Sequence, residues 1–179
     1  VNRETYEIEK QKALTRLNQA CIVLTEQEQA DLELTDFGLN DFPSMGLTLL
    51  TYVNTDRCCS KELVMLPLQT CPEHRHPPIE RKPGKEETFR CRAGKVYLYI
   101  EGEPTPAPVC KAPAGREAYY QVWHEVELEP GKQFTLPPNT RHWFQAGPDG
   151  AIVSEFSTSS RDDLDIFTDP DIQRMAEIE

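Results

Sequence analysis

The residues best suited to chemistry in this chain are its histidines. Only four occur, and three of them fall in two compact motifs, Glu73-His74-Arg75-His76 and Asn139-Thr140-Arg141-His142. Along a strand, residues two apart point to the same side, so His74 and His76 can share one cation. Taken alone, a His-x-His pair also fits two satisfied surface or core histidines. The second motif changes that balance. In Gly131-Lys132-Gln133-Phe134-Thr135-Leu136-Pro137-Pro138-Asn139-Thr140-Arg141-His142, a strand and a proline turn lead to a histidine that opens the next strand. That layout would bring a third imidazole to the same interior. The fourth, His124, lies in an alternating stretch over residues 122–128 and reads as a surface or core histidine.

Positioning these side chains calls for strands. From Leu47 onward the chain is a series of short apolar runs, at residues 47–53, 62–68, 88–92, 95–100, 119–128, 133–136, 142–145 and 151–156, separated by Pro, Gly, Asn and Asp. These patterns predict strands and turns. The clearest run places Val96, Leu98 and Ile100 on one face and Tyr97 and Tyr99 on the other. Ahead of the strands, Tyr6, Ala13, Leu14, Leu17 and Cys21 recur at helical spacing and predict an amphipathic helix over residues 3–21. Thr25-Glu26-Gln27-Glu28 matches a capping box and predicts a second, short helix. Helices followed by many short strands, with 15 prolines and 9 glycines in the chain, point to a mainly β antiparallel sandwich or barrel. The Pro- and Ala-rich residues 101–118 read as a long surface loop.

At 179 residues the expectation is one domain over 1–179, with a helical segment at 1–45, a β-barrel at 46–160 and a C-terminal segment at 161–179. A net charge of −11 would repel phosphate backbones and anionic membranes, so neither nucleic acid nor a membrane is an expected partner. No apolar run approaches the roughly 18 residues that span a bilayer, and residues 1–10 are charged with no apolar leader, so a soluble, cytoplasmic protein is expected. The six cysteines show no Cys-x-x-Cys spacing and read as free thiols rather than disulfides or a zinc site.

The two histidine motifs resemble those of the cupin family, in which a His-x-His pair, a glutamate and a glycine form one motif, and a glycine, a proline turn and a histidine form the other. The resemblance implies a jelly-roll barrel holding one divalent cation. The family's usual spacing would select Glu80 as the carboxylate ligand. Glu80, however, lies in the Pro- and Lys-rich residues 77–85, whereas Glu87 opens a credible strand seven positions before Gly94, and Glu86 has the opposite strand parity. The preferred ligand set is therefore His74, His76, Glu87 and His142. Three imidazoles and a carboxylate leave coordination positions open, as in catalytic sites, and suit manganese, iron, cobalt, nickel or zinc. Lys85 shares parity with Glu87 and either reaches the same cavity or is solvated in its loop. Glu155, in Ile152-Val153-Ser154-Glu155-Phe156, is a usable base if it faces inward.

The central block narrows the resemblance. Tyr52-Val53-Asn54-Thr55-Asp56-Arg57, Gln69 through Pro77, Gly84-Lys85-Glu86-Glu87-Thr88-Phe89-Arg90-Cys91 and Val96-Tyr97-Leu98-Tyr99 resemble the cupin-type D-lyxose isomerases, with Asp36-Phe37-Gly38-Leu39 and Ser154-Glu155-Phe156-Ser157 extending the match. This implies an aldose–ketose isomerase acting on D-lyxose and D-xylulose, and on D-mannose and D-fructose. It further implies a homodimer that favours Mn²⁺, with Lys85 and Glu155 as the catalytic pair. Rival readings are a cupin Fe(II) oxygenase and a non-catalytic sugar-binding cupin. Arg141, Arg90 and Gln69 adjoin ligand strands and carry no assigned role.

Overall fold

A computed structural model describes residues 2–174. Helix α1 (Arg3–Gln19) is capped by Asn2, whose side chain accepts from Thr5 N at 2.8 Å. It buries Ala13 and Leu17 against Val64 and Ile152 on the outside of the sheet. Tyr6 and Leu14 of the expected stripe are half-buried. Cys21 is exposed, because the chain has already left the helix and turns at a φ of 58°. Helix α2 (Glu26–Ala30) carries the predicted capping box: Glu28 N donates to Thr25 Oγ1 at 3.2 Å, and Thr25 N donates to Glu28 Oε2 at 2.7 Å.

The strands are β1 (Glu33–Thr35), β2 (Leu47–Asn54), β3 (Cys59–Met65), β4 (Thr70–Arg75), β5 (Glu87–Ile100), β6 (His124–Leu128), β7 (Gln133–Leu136), β8 (His142–Ser157) and β9 (Ile166–Phe167). All paired strands run antiparallel. The frame is the pairing of β5 with β8, from Glu87 opposite Ser157 to Ile100 opposite His142. On its other edge β8 pairs with β3 through residues 151–157 and with β4 through residues 142–145. Strand β5 likewise pairs with β7 near Glu87 and with β6 near Ile100. Each long strand therefore passes through two sheets, β1-β2-β3-β8-β5-β7 and β9-β4-β8-β5-β6, which fold over a shared interior. This curled antiparallel sandwich is the cupin jelly roll. Strands β1 and β9 extend it on both sides of residues 46–160, and residues 175–179 lie outside the described residues.

The interior is filled by Leu49, Leu63, Phe89, Leu98, Phe144 and Val153, among others. Two pairs of expected strands turn out to be single ones. Residues 88–92 and 95–100 are continuous through Gly94, and residues 142–145 and 151–156 are joined across a bulge at residues 147–150. Gly94 marks the reason. Its φ is +69°, and a Cβ there would lie 2.0 Å from Gly150 O, so the bulge closes onto a bare backbone rather than ending the strand. The expected strand at 62–68 sits earlier, at β3, because Leu66-Pro67-Leu68 forms a turn with Leu68 at a φ of 60°.

Val96, Leu98 and Ile100 face the interior as expected, but the Tyr97 and Tyr99 side is also covered. The loop after β5 folds back over it. Tyr99 stacks on Trp143 at 4.1 Å and donates to Glu125 at 2.5 Å, while Cys110 N donates to the Tyr99 hydroxyl at 2.9 Å. All six cysteines are free thiols. Among the described residues no helix is long and apolar enough to cross a membrane.

Candidate metal centre and active site

The site lies at one end of the sandwich, where the long strands begin and end. His74 is next to last in β4, with His76 just beyond the strand, while Glu87 and His142 are the first residues of β5 and β8. Sheet register does the assembling: His142 is opposite His74 across one edge of β8 and opposite Ile100 across the other. The His74 and His142 rings stand 4.3 Å apart, His74 and His76 5.0 Å, and His76 and His142 5.5 Å. One nitrogen from each of these three buried residues falls within a sphere where all lie within 4.8 Å of one another.

Glu87 completes the cluster. Its Oε1 is 3.1 Å from both His76 Nε2 and His142 Nε2. The contact to His142 does not have hydrogen-bond geometry, and His142 Nε2 is buried with no hydrogen-bond partner. A buried polar atom left so destabilises the fold by about 1–3 kcal/mol unless something else binds it. Three clustered imidazole nitrogens, one of them orphaned, with a carboxylate oxygen in contact with two of them, fit a divalent cation.

Burial, with the neighbouring His142 and His76, holds His74 well below the usual histidine range and keeps it neutral as a ligand must be. Burial opposes charge on His76 too, but Glu87 and Asp165 outweigh it and push that group up to about 9, so a cation binding there would compete with a proton. Burial also opposes charge on Glu87, yet Lys85, His76 and His142 hold it well below the usual carboxylate range.

Lys85 is buried, not solvated in its loop. Its Nζ lies 2.8 Å from Glu87 Oε2 and 2.5 Å from Glu155 Oε1. The two carboxylates hold it well above the ordinary lysine range despite burial. Glu155 is buried as well and faces inward from β8, opposite Phe89 and Lys61. The sequence-derived residues His74, His76, Lys85, Glu87, His142 and Glu155 thus converge. Glu80 and Glu86 are exposed. His124 sits on β6 with its Nδ1 3.0 Å from Glu103 O. Arg90 bonds Gln133 and Arg141 bonds Gln121, while Gln69 bonds Phe42 O and Leu66 N; none of the three lines the cavity.

Four charged lining residues escaped the sequence reading: Lys61, Asp162, Asp165 and Arg174. Lys61 Nζ donates to Asp162 Oδ2 at 2.6 Å and to Ser160 Oγ at 3.1 Å, and Arg174 reaches the same Asp162 oxygen at 3.2 Å. The alternation of Lys61, Leu63 and Met65 in β3 and the acidic Asp162-Asp163-Leu164-Asp165 were the available signals. The inner cavity is small, about 40 Å³. A wider cavity of about 520 Å³, walled by Arg57, Ile79, Lys82 and Arg161, meets it at His76, Lys85 and Asp165.

A sequence model described as D-lyxose isomerase matches residues 10–179. The chain belongs to the D-lyxose isomerase family. It is 62% identical over 170 residues to a D-lyxose/D-mannose isomerase of Thermosediminibacter oceani, covering 95% of this chain and 94% of that one. It is 54% identical to a D-lyxose ketol-isomerase of a Thermofilum species, over 99% of both chains. Family membership at this identity makes it an aldose–ketose isomerase. The fold is shared with the L-ribose isomerase of Cellulomonas parahominis, solved with L-ribose, at a TM-score of 0.83, 18% identity and coverage of 99% and 98% of the two chains.

Proposed function

We propose that this enzyme interconverts D-lyxose and D-xylulose, and D-mannose and D-fructose, with His74, His76, Glu87 and His142 as ligands to one divalent cation and Lys85 and Glu155 as the catalytic pair. The observation that carries the reading is the ammonium of Lys85, shared between the proposed ligand Glu87 at 2.8 Å and the proposed base Glu155 at 2.5 Å. A bound divalent cation polarises the sugar carbonyl and acidifies the neighbouring C–H. The chain's own residues handle the protons. Glu155, beside Lys85, takes the proton from C2 as the C1–C2 double bond forms, and Lys85 supplies a proton to O1, giving a cis-enediol. The return steps place the Glu155 proton on C1 and release the O2 proton to Lys85, so the ketose forms with no net proton change.

Burial supports this division of labour, because a fixed acid and base shielded from water act with little reorganisation. Mn²⁺ is the proposed metal, with Zn²⁺, Co²⁺, Ni²⁺ and Fe²⁺ as alternatives, and we take the enzyme to be a cytoplasmic homodimer folded as one cupin domain over residues 1–179. Incubating metal-stripped protein with Mn²⁺ and a panel of aldoses tests the reading. Ketose should form from D-lyxose, and a blank across all pentoses and hexoses would sink it. Glu155→Gln should abolish exchange of the C2 proton with solvent while leaving bound metal intact; a C2-deuterated substrate that carried its full label into the product would point to hydride transfer instead.

A further inference from the structure

The three imidazoles of the centre are not anchored alike. His74 Nδ1 lies 2.7 Å from Pro72 O, and His142 Nδ1 lies 2.9 Å from Thr140 O, each acceptor being a backbone carbonyl two residues earlier on its own stretch of chain. His76 stands past the last residue of β4 and is held differently. Its Nδ1 is met at 2.5 Å by Asp165 Oδ1, a carboxylate 89 residues away. A metal-binding histidine needs its second nitrogen held by an acceptor, which fixes the tautomer, aims the ring and raises its basicity.

Asp165 belongs to a segment that grips the centre from outside. The next two residues form β9, which pairs with β4 at Arg75 and His74. The Phe167 ring lies 5.3 Å from that of His74. Thr168 N donates to Glu73 O at 3.0 Å, and its hydroxyl donates to Glu73 Oε1 at 2.7 Å.

From this arrangement we infer that Asp165 is a positioning residue that acts through His76, coupling the docking of residues 165–168 to metal occupancy. The inference rests on the ligand set proposed above. Since coupling between two equilibria is reciprocal, metal should tighten the segment by the same factor by which the docked segment tightens metal.

Three measurements test it. Mn²⁺ titration should show Asp165→Asn weakened by about 10-fold and Asp165→Ala by up to about 100-fold, since asparagine keeps an acceptor but not the charge. Asp163→Asn, the same charge change on an exposed neighbour, should leave affinity unaltered. In Zn²⁺-loaded protein, ¹⁵N-histidine spectra should place a proton on His76 Nδ1 in the wild type and show that signal shifted or lost in Asp165→Ala. In the wild type, metal should slow hydrogen exchange at the Thr168 amide, a result that needs no variant to fold. A folded Asp165→Ala binding Mn²⁺ within about twofold of wild type, or a Thr168 amide indifferent to metal, would overturn the coupling. His142→Ala serves as the separate control: if it still binds metal at full affinity, the ligand set is wrong, whatever Asp165 does.

Discussion

At the scale of single residues, the cavity is built from opposed charges withdrawn from water. Lys61 has 5% of its side chain exposed and pairs with Asp162. Burial works against the Asp162 charge, but Lys61, Lys85 and Arg174 hold that carboxyl well below the usual range. Removing one partner of such a pair destabilises by about 3–5 kcal/mol, because the other charge is left buried. Lys61→Met should therefore lower the urea midpoint strongly at pH 7. The folded-state value of Asp162 lies below its unfolded value of about 3.9. Its stabilisation is thus complete above that value and fades as the pH falls toward the folded-state one. The gap between wild type and variant should then narrow on acidification below about pH 4, and a gap constant with pH would exclude the pair as its origin. Glu87 was legible in the sequence from its strand parity and its spacing to Gly94, whereas Lys85, which precedes β5, was drawn into the site only by the family resemblance. Asp165 was not legible, since a carboxylate 89 residues from its imidazole leaves no periodic trace.

At the scale of elements, the long strands β5 and β8 set the geometry: β5 opens on Glu87, and β8 carries two site residues far apart in sequence. His142 and Glu155 share β8, separated by the bulge that Gly94 accommodates. Gly94→Ala forces a side chain into a left-handed backbone and against Gly150 O. A loss of about 1–3 kcal/mol from the backbone conformation alone is expected, with more from the clash. Thermal denaturation reads it, and a variant as stable as wild type would mean that the bulge relaxes freely. The individual strands were visible from their apolar alternation, and so was the capping box of α2. Their fusion into two continuous strands was not, because Gly94 and Gly147-Pro148-Asp149-Gly150 carry the same composition whether they end a strand or bulge from it. Strand β4 left no apolar run, since Thr70-Cys71-Pro72-Glu73-His74-Arg75 is buried without being apolar, and was signalled only by the His-x-His pair at its end.

At the scale of the whole molecule, the run of short strands pointed to a sandwich or barrel, the family resemblance implied the jelly roll, and apolar spacing and the capping box gave the N-terminal helices, while the curl of the sheet became clear only from pairing. A ligand that binds the folded state alone at 100 times its Kd stabilises it by about 2.7 kcal/mol. For a domain of this size, saturating Mn²⁺ should raise Tm by roughly 5–10 °C over chelator-treated protein, at about 2–4 °C per kcal/mol; an unchanged Tm would mean no folding-linked site. The antiparallel closure of β8 on β3, β4 and β5 has a kinetic consequence. Cys59 meets Ser157 and His74 meets His142, so the centre exists only once contacts between distant parts of the chain have formed. Topologies dominated by such contacts fold slowly, and interactions completed after the rate-limiting step change the unfolding rate and spare the folding rate. A cation held by the proposed ligands would then be a latch rather than a template: it should leave refolding unhurried and lengthen the lifetime of the folded chain by nearly the whole factor by which it stabilises it.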